Sequence, residues 1–416
     1  MQTKAFNPVL NSYLIYIGVA LASAGVALYT PLIVSETGKN FSGTWAAAIL
    51  FGLNLGRVAG SYLGGHYSRL ANHPLAVSGN ILLEGIALYC MAYLQQAWAL
   101  ALFAVLAGLG SGLSYPGLKN YLLKIKELDQ GSLFSRLAFA IRIGLVGGYL
   151  IAGWVPIHTL KMVFLFVLLS FIAYAVFMLY AMRAISRHEA SSLALAATIE
   201  ATSINRTTAQ PLPTERPEQA KLPLRFHLSN AVFWCFAIQP MIGFSLHIPK
   251  FTPSIPVSTP FWLAALVIII FQIPISKRAV RTQDHFRFLR IGYGCLFVSF
   301  ALMVVAGQHA SAVIASAILL SFGQVFYGPS FDVVIARFGN NSSEETSRLM
   351  SQQMFYQSMG TMVGSLIGGV LFDLAQRLHM PSLNWLLLAS GSLWMMFLSK
   401  HKIPDLYRNA RRLAQA

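Results

Sequence analysis

The chain has 416 residues, of which 56% are hydrophobic and 11% charged, and its 30 Lys and Arg outweigh 14 Asp and Glu to give a formal charge of +16. A water-soluble domain covers itself with roughly 25% charged residues. This composition therefore excludes a soluble enzyme or binding module and predicts a chain that dissolves in lipid.

A helix that crosses a bilayer needs about 20 apolar residues, because lipid offers no partner to an exposed backbone amide. Such windows fall near 10–34, 43–65, 75–95, 98–122, 133–156, 161–183, 229–249, 260–276, 288–307, 310–335, 349–373 and 382–399. Unbroken runs such as 164–180 and 261–275 exclude the alternating pattern of a membrane β-barrel. The fold class expected is all-α integral membrane, with twelve transmembrane helices in two pseudo-symmetric six-helix halves.

In chain order, the first span is too long for a signal sequence. The second carries Asn54 and Arg57, and the third carries Glu84 about nine residues in, roughly 14 Å deep at 1.5 Å per residue. The fourth holds Gly108, Gly110, Gly112, Pro116 and Lys119, and the fifth holds Arg142 among Gly144, Gly148, Ala152 and Gly153. Residues 184–226 then interrupt the apolar pattern. From His188 to Lys221 they are rich in Ala, Ser, Thr, Pro and Glu, which predicts a flexible cytoplasmic connector. Beyond it come Gln239, Pro240 and His247 in the seventh span, Gln324, Tyr327, Pro329 and Asp332 in the tenth, and Gln353 and Gln357 in the eleventh. The domains expected are a half at 1–183, the linker at 184–226, a half at 227–400 and a basic tail at 401–416. Pro240, Pro116 and Pro329 are expected to bend their helices.

With the N-terminus inside, Lys39, Lys161, Lys250 and Arg377 fall outside and Arg57, Lys119 and Arg142 within spans. Most other basic residues then lie on the side of the termini. That positive-inside bias puts both termini in the cytoplasm, and it accounts for the charge surplus without nucleic acid. Cys90, Cys235 and Cys295 each sit in an apolar span with neither pairing nor metal spacing.

The halves read as copies. Pro31 and Trp45 correspond to Pro249 and Trp262 at offsets of 218 and 217, and Gly110 and Pro116 to Gly323 and Pro329 at 213. Gly144, Gly148, Ala152 and Gly153 correspond to Gly360, Gly364, Gly368 and Gly369 at 216. Small residues every four positions let two helix backbones approach. Two readings stay open: static packing faces, or the sliding contact between the halves.

Six plus six helices, cytoplasmic termini, a long central loop and repeated halves resemble the major facilitator superfamily. The family's loop pattern Gly-x-Leu-x-Asp-Arg-x-Gly-Arg aligns with Ser61, Leu63, Gly65, His66, Ser68 and Arg69, so Gly65 stands at the Asp position. Ala104 stands where the family often has Arg before the glycine run, and Tyr149 follows Gly148 where drug:proton antiporters have Pro. The resemblance implies a proton-coupled secondary transporter that exports a small solute by alternating access; uptake is the alternative. A membrane receptor or scaffold would need a folded loop domain. An embedded enzyme would need a clustered set such as His-Glu-x-x-His, and neither that nor an ATP-binding Walker motif occurs. No cofactor or metal is expected. The expected partners are the lipid bilayer, one small-molecule substrate and protons, with a monomer sufficient and a bacterial inner membrane as the location.

A charge at bilayer depth costs at least roughly 2.5–3.5 kcal/mol, so each is a functional candidate. Arg142 cannot shed its charge and needs a carbonyl cluster, an acid or an anionic substrate beside it. Cationic depth with no acid in the first span predicts an anionic or zwitterionic solute, such as a carboxylate metabolite, a siderophore or a drug-like compound. Asn54, Gln239, Gln324, Tyr327, Gln353 and Gln357 join Arg142 as candidate substrate contacts. Glu84 is a proton carrier or the structural partner of Arg57. Lys119 and Asp332, each three residues after a matched proline, are expected to pair across the halves as a cytoplasmic gate when that side closes; the alternative is that Lys119 snorkels and Asp332 caps a helix end or meets Arg337.

Overall fold

The computed structural model describes residues 8–66, 73–125, 130–154, 160–202, 224–281, 285–338 and 343–415. Among the described residues it is helical throughout, without strands: α1 (Pro8–Asn40), α2 (Gly43–His66), α3 (Pro74–Met91), α4 (Ala97–Leu123), α5 (Gln130–Trp154), α6 (Leu160–Thr202), α7 (Leu224–Ala237), α8 (Gln239–Phe251), α9 (Thr259–Arg281), α10 (His285–Ala306), α11 (Ala310–Phe338), α12 (Ser343–Arg377) and α13 (Leu383–Gln415). Eleven segments are long and apolar enough to span a membrane, α7 and α8 together making one. The twelfth expected span is the start of α13, where the apolar stretch from Leu383 runs on into the basic tail.

The seventh span breaks at Ile238, next to Pro240, whose missing N–H cannot continue the ladder. Ile238 itself keeps right-handed helical dihedrals (φ −82°, ψ −21°) and donates to Trp234 O at 3.1 Å, so the irregularity is local. Pro329 lies within an unbroken α11, and α4 likewise runs through position 116. α6 continues to Thr202, well past the expected end at 183, because 184–202 is rich in Ala, Leu and Glu and holds no Gly or Pro. A Lys124–Glu189 ion pair of 2.7 Å and a Ser186–Tyr121 hydroxyl bond of 3.3 Å dock this extension on the end of α4. The rest of the connector, residues 203–223, and Ser68 and Arg69 of the motif loop lie outside the described residues.

The halves repeat one packing scheme. α1 packs on α5 and α6, α2 on α4, and α3 on α4 and α6. In the second half α7 packs on α12 and α13, α9 on α11, and α10 on α11 and α13. Each half has its own apolar core, with Phe164 and Phe171 in the first and Phe233, Tyr293, Tyr327 and Trp385 in the second. Trp154 and Val305, each 86% exposed, belong to an outside that suits lipid.

Glycines set the spacing. A Cβ at Gly108 or Gly112 would lie 2.0 and 2.3 Å from the Leu53 and Arg57 carbonyls of α2, and one at Gly110 would lie 2.5 Å from the Asn80 carbonyl of α3. The alternating run thus seats α4 between α2 and α3. The fifth- and eleventh-span rows resolve the two readings left open: Gly144 and Gly148 meet the Ala20 and Ala24 carbonyls of α1, and Gly360 and Gly364 meet the Ala231 and Cys235 carbonyls of α7. These are packing faces within each half. Only the last members cross between halves, Gly153 onto Ser258 and Gly369 onto Gly43 and Ala47.

Candidate substrate cavity

The cavity lies where α5 of the first half faces α7, α8, α9, α11 and α12 of the second, and it has two compartments. One, of about 220 Å³, is lined by Tyr149, Phe244, Phe261 and Met241 and is mostly apolar. The other, of about 200 Å³, is lined by Gln272, Gln324, Asp332, Gln353 and Gln357. Arg142, Trp234, Ile268 and Gln324 border both, so Arg142 stands at their junction. Among the described residues no hydrogen bond or ion pair occupies its guanidinium, and Tyr149 is the group that acts on it electrostatically. The polar compartment lies toward the end of the bundle that carries the termini, the apolar one toward the opposite end.

Four of the seven expected substrate contacts meet here: Arg142, Gln324, Gln353 and Gln357. The other three are engaged elsewhere. Asn54 donates to the Leu50 carbonyl of its own helix at 2.9 Å. Gln239, 1% exposed, donates to Cys235 O at 2.9 Å and Gly364 O at 2.8 Å, bridging the break in span seven to α12. Tyr327 is stacked on Phe233 at a centroid distance of 3.6 Å and bonds Ser229 O, so it is core. Mid-span polarity does not say which face of a helix a residue occupies, and that is why these three misled. Gln272 and Trp234 line the cavity and were not among the expected residues, Trp234 because an indole in an apolar run reads as packing.

Among the described residues no ion pair within 4.0 Å joins Arg57 to Glu84. The second and third spans do not face each other directly, since α4 lies between them. Glu84 is 5% exposed, borders neither compartment, and feels the Arg57 charge and the Ser111 hydroxyl. Lys119 lies over the Tyr115 ring with Nζ 3.4 Å from Met354 Sδ, and Asp332 accepts from Gln353 Nε2 at 2.6 Å. The two expected gate residues are therefore unpaired in this conformation, in which the opposite end is the closed one. The Arg337 side chain is outside the described set.

At that closed end Asp373 of α12 reaches across to the first turn of α2. Its carboxylate accepts from Gly43 N at 2.8 Å, Thr44 N at 2.8 Å and Thr44 Oγ1 at 2.6 Å. Four orphan N–H groups and a positive dipole end make a helix start a good seat for a carboxylate. α12 ends just beyond, where His379 turns to φ 55° and Met380 N donates to Ala375 O. Lys250 also bonds Gln376 there. Asp373 and the helix start it meets are some 330 residues apart in the sequence.

Two six-helix halves, sealed at one end around an intramembrane cavity, define a membrane transporter and not an enzyme. The chain belongs to the Major Facilitator Superfamily, whose family model matches residues 13–369. It is similar to the multidrug resistance protein MdtH of Proteus mirabilis (strain HI4320), 24% identical over 396 residues and covering 92% of each chain. The MdtH of Shigella boydii serotype 4 (strain Sb227) is 25% identical over 395 residues, 91% of this chain and 90% of its own. Among solved structures, a peptide transporter POT in complex with sulfate superposes with a TM-score of 0.68 at 14% identity, covering 96% of this chain and 95% of that one. The human organic anion transporter MFSD10 (TETRAN) gives 0.64 at 15% identity, covering 94% and 99%. At these identities the structures speak for the fold alone.

Proposed function

We propose that the protein is a proton-coupled secondary exporter of a small organic solute that carries an anionic group, alone or as part of a zwitterion. The observation that supports this is Arg142, a permanent charge with no partner among the described residues, at the junction of an apolar and a polar compartment. A carboxylate seated on the guanidinium would make paired, charge-assisted bonds in a cavity of low polarity. The apolar compartment would take the solute's hydrocarbon body. Export follows the name of the relatives, multidrug resistance protein; uptake through the same cavity is the competing direction. Both termini are assigned to the cytoplasm on the basic-residue bias, and a single chain holds a complete cavity, so a monomer suffices.

Transport requires the closed end to open while the end bearing the termini closes. Closure there brings the ends of α4 and α11 together and pairs Lys119 with Asp332. The test is a ligand-induced thermal-shift screen on purified protein, followed by flux of each hit in proteoliposomes under an imposed pH gradient. Flux of an anionic or zwitterionic hit that depends on the gradient and on Arg142 supports the reading. Binding without flux would make the protein a receptor.

A further inference from the structure

Arg142 lies between the two compartments and not at the far end of either, and that position constrains the shape of what the cavity holds. An unbranched solute with its anion at one end, seated on the guanidinium, would leave one compartment to water. A solute that fills both carries its anion in the middle, on a carbon from which two arms leave in different directions. One arm enters walls built from Tyr149, Phe244 and Phe261, which suit hydrocarbon. The other enters walls built largely from glutamine.

The glutamines make the second arm specific. Gln272 of α9, Gln324 of α11 and Gln357 of α12 converge on the polar compartment from three helices, and each is half-buried. Among the described residues none of the three has a hydrogen-bond partner. Four other amides within spans are tied down: Asn54 to Leu50 O at 2.9 Å, Gln239 to Gly364 O at 2.8 Å, Asn230 to Gln353 O at 3.3 Å, and Gln353 to Asp332 at 2.6 Å. An amide within the membrane bonds what it can reach, because an unmatched polar group is costly there. Three amides that bond nothing and share one cavity face a group that the protein does not supply.

The chemistry of that group follows from the wall. A glutamine side chain presents a donor and an acceptor side by side. Its complement offers the same pair, and an amide does so without charge. The bordering charges also favour a neutral arm: a second cation would stand near Arg142, and a second anion would stand near Asp332.

We propose that the cavity takes an N-acyl α-amino acid with an apolar side chain, its carboxylate on Arg142, its side chain in the apolar compartment and its acylamide on Gln272, Gln324 and Gln357. This rests on the anion seat of the reading above and narrows it to solutes that branch at the carbon bearing the anion. Arg142 reads charge, the aromatic wall reads the side chain, and the glutamines read the acylamide. Gln324, which borders both compartments, stands where the arms part.

Small probes test the arms separately by calorimetric titration of the purified full chain. N-acetyl-L-phenylalanine has both arms, hydrocinnamate lacks the acylamide, N-acetylglycine lacks the apolar arm, and L-phenylalanine carries an ammonium where the acylamide would be. N-acetyl-L-phenylalanine should bind about tenfold tighter than any of the other three, the worth of one or two hydrogen bonds or of the buried ring. Gln272→Met with Gln357→Met keeps side-chain volume and removes two amides. In that double variant N-acetyl-L-phenylalanine should fall to the affinity of hydrocinnamate, whose own affinity should stay unchanged and so report an intact cavity. Equal binding of N-acetyl-L-phenylalanine and hydrocinnamate to the wild type would overturn the proposal. So would tighter binding of L-phenylalanine, parallel loss of both probes in the double variant, or no binding by any probe. N-acetyl-L-phenylalaninamide, which lacks the charge, separates the two readings. If it binds as well as the acid, and the double variant weakens both, the anion seat on Arg142 fails and the glutamine subsite stands.

Discussion

Asp373 holds the closed end of the bundle by three bonds to the first turn of α2, and its loss should open that end. Gly43 N, Thr44 N and Thr44 Oγ1 donate to it at 2.8, 2.8 and 2.6 Å. Water replaces these bonds once the seam parts, so their gross energy overstates the effect. Removing a helix N-cap costs about 1–2 kcal/mol, and the charge at the dipole end adds up to about 1 kcal/mol. Asp373→Ala should therefore shift the closed-to-open ratio by about 1–3 kcal/mol, which is roughly 5- to 150-fold. Ser258 is a suitable reporter: it is 1% exposed, sits on the other cross-half contact against Gly153, and accepts a near-isosteric change to cysteine. In a background with Cys90, Cys235 and Cys295 replaced, a membrane-impermeant maleimide applied from that face should label Ser258→Cys at least about fivefold faster when Asp373→Ala is added, the lower bound of the shift. Asp373→Asn should fall between. Unchanged labelling in a folded Asp373→Ala protein would refute the latch.

Arg142→Lys should retain part of the transport of an anionic solute, while Arg142→Gln should lose about 1.5–3 kcal/mol of affinity, measured as flux at matched expression. Gly110→Leu should lower the thermal unfolding temperature through overpacking of about 1–3 kcal/mol, whereas Gly147→Ala, with nothing within 4 Å of the added Cβ, should leave it unchanged or raise it. Glu84→Gln strands the Arg57 charge within the membrane and should reduce the yield of folded protein, and Arg57→Gln in the same chain should restore it. Single charge reversals at Lys119 or Asp332 should favour the conformation open toward the termini, read as faster cysteine labelling from that side. The double swap Lys119→Asp/Asp332→Lys should return labelling toward wild type; a swap no better than the worse single variant refutes that gate.

Spans, halves and three of the cavity's four glutamines were legible in the sequence because lipid makes hydropathy and buried polarity strong signals. Facing was not. Tyr327 and Gln324 are both polar residues in mid-span positions, yet one is stacked within a helix-packed core and the other borders the cavity. The difference is a rotation about the helix axis that spans without amphipathic contrast do not record. The glycine rows announced close approach, but their partners, α1 and α7, lie in the same half, so the rows mark rigidity and not motion. Asp373 was hidden for another reason: a cross-half bond to backbone N–H groups leaves no mark on the partner's side chains.

The position of the seam has a mechanical consequence. The close contacts between halves, Gly369 on the Gly43 backbone and Gly153 on the Ser258 hydroxyl, gather at one end of the bundle, while each half is internally locked by its own glycine rows. Such a seam works as a pivot at the end of a long lever. Along α12 the arm from Gly369 to Gln353 is about 24 Å at 1.5 Å per residue. A rotation of about 10° at the pivot sweeps Gln353 through roughly 4 Å over that arm, comparable to the thickness of an aromatic ring. Small angular play at the sealed face is thereby amplified into passage at the other, with neither six-helix half having to deform.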